Sequence, residues 1–221
     1  MMSCNAKIFL VDDHPLVREW LTKLVNQEPE LEVCGEASNT REALQLIVAT
    51  QPDVVIADIW LEEGSSGLEL IKEVKTAHPH VNTIILSMHD EMLYADRARR
   101  AGARGYVMKR DATEKILDAI KNVLAGKTYF SESASVMMAR KLVRGMTAAE
   151  DSPVAVLSDR ELEVYELLGR GSNTRQISEQ LSLSAKTVQV YCARIKEKLD
   201  LANINELIAH AARWHESRLA Q

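Results

Sequence analysis

The chain has 221 residues, 46% of them hydrophobic, and a formal net charge of −5. That length suits two domains of ordinary size or one large one, and the apolar share is enough to build packed cores, so disorder is not expected. No apolar run approaches the roughly eighteen residues of a bilayer crossing. Residues 1–7 lack the basic-then-apolar order of an export signal, and Cys4, Cys34 and Cys192 are too few and scattered for a disulfide framework. A cytoplasmic location with no membrane partner is the expectation.

In chain order, short β-rich runs at 8–11, 31–37, 54–58, 81–87 and 105–108 alternate with amphipathic helical patterns such as 41–48 and 68–74, and another helix pattern, 114–124, follows the last run. Pro15, just after Asp13 and His14, marks the first turn of the first helix, where a proline forfeits no hydrogen bond. Five strand-helix repeats predict an α/β domain with a doubly wound, five-stranded parallel sheet covered on both faces. From Gly126 the strand signal stops. One helix is expected at 132–144, followed by the hinge-like residues Gly145, Thr147, Asp151, Ser152 and Pro153. Beyond that only helical patterns occur, broken at 169–173, 181–184 and 200–203, which predicts a small all-α domain. The expected division is residues 1–125, a linker over 126–153, and 154–221.

Charge follows this division. Residues 1–125 hold 14 Lys+Arg against 20 Asp+Glu, while residues 152–221 hold 9 of each. The second half therefore lacks the basic excess of many nucleic-acid binders, and any DNA function there must come from geometry.

In an open parallel sheet, functional groups gather at the carboxyl ends of the strands, near the point where strand order reverses. The first polar groups past the apolar runs are Asp12 and Asp13, Asp58, Ser87 and Lys109. Each alone has a bland reading as a helix cap or solvated loop residue. Together they would surround one pocket, and no glycine-rich loop follows the first strand to make it a dinucleotide site. Three crowded carboxylates repel unless a cation sits among them, and an all-oxygen site with few ligands suits Mg²⁺. Magnesium held this way takes phosphate oxygens at its remaining positions, with Lys109 to balance the added charge.

Asp12-Asp13, Asp58, Ser87 and the run Gly-Tyr-Val-Met-Lys ending at Lys109 resemble the receiver domain of two-component response regulators, over about residues 5–125. The resemblance implies a flavodoxin-like fold in which Asp58 takes a phosphoryl group from a phosphohistidine of a sensor histidine kinase. It also implies Mg²⁺ bound directly by Asp13, Asp58 and the main-chain carbonyl of Trp60, with Asp12 acting largely through water. Ser87 would hydrogen-bond the phosphoryl group and Lys109 would contact another of its oxygens. Tyr106 matches the family's switch aromatic, against a bland reading as a packed strand residue. One departure concerns the loop after the nucleophile: Glu62 stands where the family has proline, and Gly67 comes one residue late, so the loop 62–66 should be longer and more flexible. Trp60 and His89 flank the site and would either orient the hydrolytic water or cover the rim. His14, His78 and His80 are read as surface or capping residues.

In the second half, Ser158 and Glu161 form a capping pattern ahead of Leu162, Tyr165 and Leu168. Ile177 and Leu181 mark a short helix, and the longest helix runs from beyond Ser184 to about Leu199. Val188, Tyr191, Ile195 and Leu199 form its inward stripe, which leaves Lys186, Gln189, Val190, Ala193 and Arg194 outward, with Cys192 packing at the core edge. This is a helix-turn-helix pattern. The bland alternative is a helical bundle that binds only protein.

Ser184-x-x-Thr187-Val188, with Leu157-Ser-x-Arg-Glu161 upstream and Lys198-Leu199 downstream, resembles the LuxR-type output domain of the NarL/FixJ subfamily over about residues 155–215. That resemblance places Lys186, Gln189, Val190, Ala193 and Arg194 in the major groove, and Thr174, Arg175 and Thr187 near phosphates. Members often carry a basic residue where Gln189 and Ala193 stand, so base preference would differ. Gln189 would pair with adenine and Val190 would touch a thymine methyl. The expected protein is a phosphorylation-dependent transcription regulator that binds promoter DNA as a homodimer, with a dimer surface over 203–214 and RNA polymerase as a further partner. It would be no enzyme beyond its own Mg²⁺-dependent phosphotransfer and dephosphorylation. A Mg²⁺-dependent phosphatase of small molecules would leave the second half unexplained, and the remaining alternative is a receiver driven by partner binding alone.

Overall fold

The computed structural model describes residues 5–61, 66–144 and 153–219. They fall into two compact units that divide between Arg140 and Lys141.

In the first unit, β1 (Ala6–Val11), β2 (Leu31–Ala37), β3 (Val54–Ala57), β4 (Asn82–Ser87) and β5 (Gly105–Met108) form one parallel sheet in the order β2-β1-β3-β4-β5. Its helices are α1 (Pro15–Val25), α2 (Thr40–Thr50), α3 (Gly67–Ala77), α4 (Glu91–Ala101) and α5 (Ala112–Leu124). Side chains alternate across a strand. Ile8 and Leu10 of β1 therefore join Val54, Ile56, Ile84 and Leu86 with Leu21 and Val25 of α1 and Ile116 and Ile120 of α5. Phe9 and Val11 join Val55 and Ala57 on the opposite face with Ile47 of α2 and Leu70 and Val74 of α3. Both faces are dry, which is why these strands read as continuous apolar runs rather than alternating ones.

Between β1 and β3 the winding direction reverses. Val11 pairs with Ala57, and the Asp58 amide donates to the Val11 carbonyl at 2.9 Å. Asp12 and Asp58 thus emerge side by side at the crevice such sheets use for ligands.

After α5 no further strand forms among the described residues, as expected, but the chain returns to the sheet at a single residue. Tyr129 makes a parallel bridge to Gly105 on the outer edge of β5: its amide donates to the Arg104 carbonyl and its carbonyl accepts from the Tyr106 amide, both at 2.8 Å. The helix α6 (Glu132–Arg144) then lays Ala134 and Met138 against Ala95 of α4. The hinge residues Gly145, Thr147, Asp151 and Ser152 lie outside the described residues.

The second unit holds α7 (Asp159–Gly169), α8 (Thr174–Gln180), α9 (Ala185–Lys198) and α10 (Ile204–Leu219). Ser158 and Glu161 cap α7 reciprocally, Asn173 and Gln176 do the same for α8, and Ser184 caps α9. Each satisfies amides that the first helical turn leaves without partners. The last helix extends beyond the expected end at 214. It packs closely on α7: the Tyr165 hydroxyl meets His210 Nδ1 at 2.6 Å, and the rings of Tyr165 and Trp214 stand 5.3 Å apart.

Candidate functional site

At the mouth of the crevice, the Lys109 ammonium lies 2.6 Å from Asp58 Oδ2 and 2.6 Å from Asp12 Oδ2. Both carboxylates are buried, and Ile59 donates its amide to the other Asp58 oxygen. Burial pushes the Asp58 carboxyl up; the Lys109 charge opposes this and the Asp12 charge reinforces it. Burial works to lower the Lys109 ammonium, yet Asp58 and Asp12 outweigh it and hold it above the ordinary lysine value. One side chain just past each of two central strands and one from beyond β5 therefore share a single knot, two carboxylates against one ammonium.

Asp12, Asp13 and Asp58 bring carboxylate oxygens together, and His14 adds a ring nitrogen, all within 4.8 Å of one another. Lys109 offsets only one of the three carboxylate charges, and the remaining excess of carboxylate oxygens fits a divalent metal ion. The loop that carries it is braced: the Arg18 guanidinium donates to the Asp12 carbonyl at 2.6 Å, and the His14 amide donates to Asp12 Oδ1 at 2.9 Å. Arg18 was not among the expected site residues. Its position in α1 one turn beyond Pro15 was the available signal.

Of the two readings expected for His14, surface or cap, the structure bears out the first: its side chain is exposed. It occupies the N-cap position of α1, but its side chain makes no capping hydrogen bond; its ring Nδ1 instead approaches Asp13 Oδ1 at 2.6 Å. The late glycine is also resolved in structural terms. A Cβ on Gly67 would stand 1.8 Å from the Asp58 carbonyl oxygen, so Gly67 is the point where α3 touches the backbone of the acidic residue. Its amide donates to the Ile59 carbonyl at 2.8 Å, and Trp60 and Ser66 close the loop with an antiparallel bridge. The expectation of a longer, more flexible loop at 62–66 falls mostly on residues 62–65, which lie outside the described residues.

Ser87, at the end of β4, is fully buried; its hydroxyl accepts from the His89 amide at 3.2 Å. Tyr106 of β5 points inward, almost fully buried, and donates its hydroxyl to the His89 carbonyl at 2.8 Å. Trp60, His89 and Tyr94 of α4 pack edge to face, with ring centres 5.2 to 6.4 Å apart. Among these, Tyr94 carried no sequence signal, because a buried tyrosine in a helix full of arginines looks like any other helical residue.

In the second unit, α8 and α9 meet across a short turn. Val188 and Ile195 of α9 are buried, Tyr191 is half-buried, and Cys192 is tucked in as expected of a packing residue. Lys186, Gln189, Val190, Ala193 and Arg194 all lie exposed on the opposite side, with Arg175 exposed on α8 and Thr174 and Thr187 half-exposed at the helix starts. Arg175 reaches Glu179 one turn on, at 2.9 Å.

Comparison with known proteins agrees with both halves. The family "Response regulator receiver domain" matches residues 8–121, and "Bacterial regulatory proteins, luxR family" matches residues 155–211. The chain is 33% identical over 208 residues to the oxygen regulatory protein NreC of Staphylococcus carnosus (strain TM300), covering 93% of this chain and 96% of NreC. A LuxR-family two-component response regulator from Aurantimonas sp. SI85-9A1 superposes with a TM-score of 0.57 and 34% identity, over 63% of this chain and 99% of that one. The Salmonella typhimurium RcsB response regulator shares the fold over 95% of this chain and 98% of its own, at 23% identity and a TM-score of 0.63. With an acidic pocket at the reversal point of a receiver sheet and a helix-turn-helix that presents its outer face to solvent, this chain belongs to the two-component response regulators of the NarL/FixJ type, which join a receiver to a LuxR-type DNA-binding domain.

Proposed function

We propose that Asp58 is the phosphoacceptor and that its phosphorylation by a sensor histidine kinase controls binding of α9 to promoter DNA. The observation that carries this reading is the Lys109 ammonium placed 2.6 Å from both Asp58 and Asp12. A carboxylate oxygen of Asp58 attacks phosphorus, the bond from phosphorus to the donor's imidazole nitrogen breaks, and an acyl phosphate remains. Lys109 stays protonated and turns from neutralising carboxylates to neutralising a phosphoryl oxygen. Mg²⁺ held by Asp13, Asp58 and the Trp60 main-chain carbonyl, with Asp12 acting through water, would offset the remaining phosphoryl charge. Ser87 hydrogen-bonds the phosphoryl group, and Tyr106 follows as the switch residue. The protein catalyses only this transfer and the loss of the same phosphoryl group.

Coupling to the output half runs through the chain's own linker. Tyr106 is bonded through its hydroxyl to His89 and through its amide to Tyr129, and the Ser131 amide donates to Glu91 at the start of α4, 2.8 Å away. A shift of Ser87 and His89 toward a phosphoryl group therefore pulls on both anchors of the strap 129–131. Release of the strap frees the output domain or promotes a homodimer that matches two operator half-sites. Lys186, Gln189, Val190, Ala193 and Arg194 read the major groove, while Thr174, Arg175 and Thr187 meet phosphates. The working division is a receiver to residue 125, a linker to 153 and a DNA-binding domain beyond. The setting is the cytoplasm, and RNA polymerase is a further partner.

The test is intact-protein mass after incubation with a small phosphodonor and Mg²⁺, for wild type and Asp58→Asn, with DNA retention measured on the same samples. A single phosphoryl adduct absent from the variant, with retention that rises on phosphorylation, is expected. A folded wild type that gains no adduct would overturn the phosphoacceptor role.

A further inference from the structure

Asp12 is the first residue past β1, and each of its polar groups is engaged. Its amide donates to the Ala37 carbonyl at 3.2 Å. Its Oδ1 accepts from the His14 amide at 2.9 Å, and its Oδ2 lies 2.6 Å from the Lys109 ammonium. Its carbonyl stands past the last register pair of β1 and β2, Val11 with Ala37, and accepts instead from the Arg18 guanidinium at 2.6 Å. Of these four bonds, the one from Arg18 alone reaches the loop from inside a helix. A helical side chain leans toward the N-terminus of its own helix, so Arg18, one turn into α1, extends back over Pro15 to the end of the strand. The side chain is only 15% exposed, and its Nε stays 3.6 Å from Glu36 Oε2, too far for a hydrogen bond. A cation withdrawn this far from water needs a strong acceptor, and the Asp12 carbonyl is that acceptor.

The carbonyl that Arg18 holds belongs to the peptide joining Asp12 to Asp13. Fixing that peptide plane sets the direction in which the Asp13 side chain leaves the backbone, and with it the convergence of the Asp12, Asp13 and Asp58 carboxylates. We propose that Arg18 is a positioning residue of the phosphoacceptor site: through the Asp12–Asp13 peptide it aims both carboxylates into the pocket and so sets the affinity for Mg²⁺, without touching the metal, the phosphoryl group or the donor. The inference rests on the phosphoacceptor reading only in taking this pocket as the metal site. The competing role is a purely structural tie between α1 and the end of β1.

Titration calorimetry of the full chain with MgCl₂, on wild type, Arg18→Met and Arg18→Lys, separates these roles. Methionine keeps an apolar stem in place of the buried part of the side chain and removes the donor, while lysine keeps a cationic donor on a flexible stem. Arg18→Met should raise the Mg²⁺ dissociation constant by about 10- to 100-fold, the scale of losing a group that orients metal ligands, and Arg18→Lys should regain part of that loss. Arg18→Gln, shorter and uncharged, should lose affinity as Arg18→Met does and takes its place if that variant does not fold. A thermal scan without metal reads the competing role, because a structural tie lowers the transition of the first unit but leaves the Mg²⁺ affinity of the folded protein unchanged. A folded Arg18→Met or Arg18→Gln that binds Mg²⁺ as wild type does, or an Arg18→Lys that binds it no better than Arg18→Met, would overturn the proposal. Metal binding is read without any phosphodonor, so failure of Asp58 to accept a phosphoryl group leaves this outcome unaffected. A folded wild type that binds no Mg²⁺ overturns the Arg18 role and the metal-assisted phosphoacceptor reading together.

Discussion

Asp58 carries its charge against the grain of the fold. Burial raises its carboxyl above the ordinary value of 3.8, even with the pull of Lys109 included. A group whose folded value is raised contributes stability below its unfolded value and loses it as the pH climbs through the folded value. At pH 7 the ionised Asp58 therefore destabilises the first unit. Asp58→Asn should unfold at a higher temperature than wild type at pH 7, with the gap shrinking as the pH is lowered toward 4; equal gaps at both pH values in a thermal scan would contradict this cause. Gly67 is constrained by space. A methyl group there would collide with the Asp58 carbonyl, so the start of α3 or the backbone of Asp58 must move. Gly67→Ala should cost about 2 kcal/mol or more in urea unfolding, within the range of steric overpacking, and should slow adduct formation at Asp58.

At the scale of elements, α9 separates its two jobs by face. Val188 and Ile195 hold it to the unit, while the outer face is polar and small at its centre, with Val190 43% exposed. A helix with this face can enter a groove without bulk to exclude it. Gln189→Ala should cost about 1–3 kcal/mol at one base pair of the operator and relax preference there. Arg175→Ala on α8 should weaken binding to all sequences alike and reduce the salt slope by about 1. A filter-binding series over salt and operator variants tells the two apart: equal effects on all sequences from Gln189→Ala would remove it from base reading. The helices themselves were largely legible, since capping residues at Ser158, Asn173 and Ser184 stand directly before apolar periodicity. Tyr129 was not, because one residue bridging an edge strand leaves no periodic trace.

For the whole molecule, the two compact units should respond independently to a ligand that only one of them holds. A divalent ion at 100 times its dissociation constant adds about 2.7 kcal/mol to the unit that binds it. Calorimetry with and without MgCl₂ should raise the transition of the unit built on residues 5–140 and leave that of the helical unit in place; a shift of the helical unit alone would place the metal elsewhere. Charge has the same division. The acidic excess belongs to the first half, and under the proposed function the balanced second half draws DNA to it through the local cations Lys186 and Arg194, with Arg175 beside them.

Strand positions, their order along the chain and the polar group at each carboxyl end followed from the sequence, because parallel strands buried on both faces must be apolar throughout and must break to polar residues where they leave the sheet. The outward face of α9 followed from helical periodicity for the same kind of reason. Tertiary structure alone decided that Lys109 bridges Asp12 and Asp58, that Gly67 abuts the Asp58 backbone, that the linker is stitched to β5 beside Tyr106 and that the His14 ring turns to the carboxylates. Each of these joins residues whose meeting depends on loop paths and side-chain rotamers. Local pattern carries no record of those, since many loop conformations satisfy the same sequence until packing selects one.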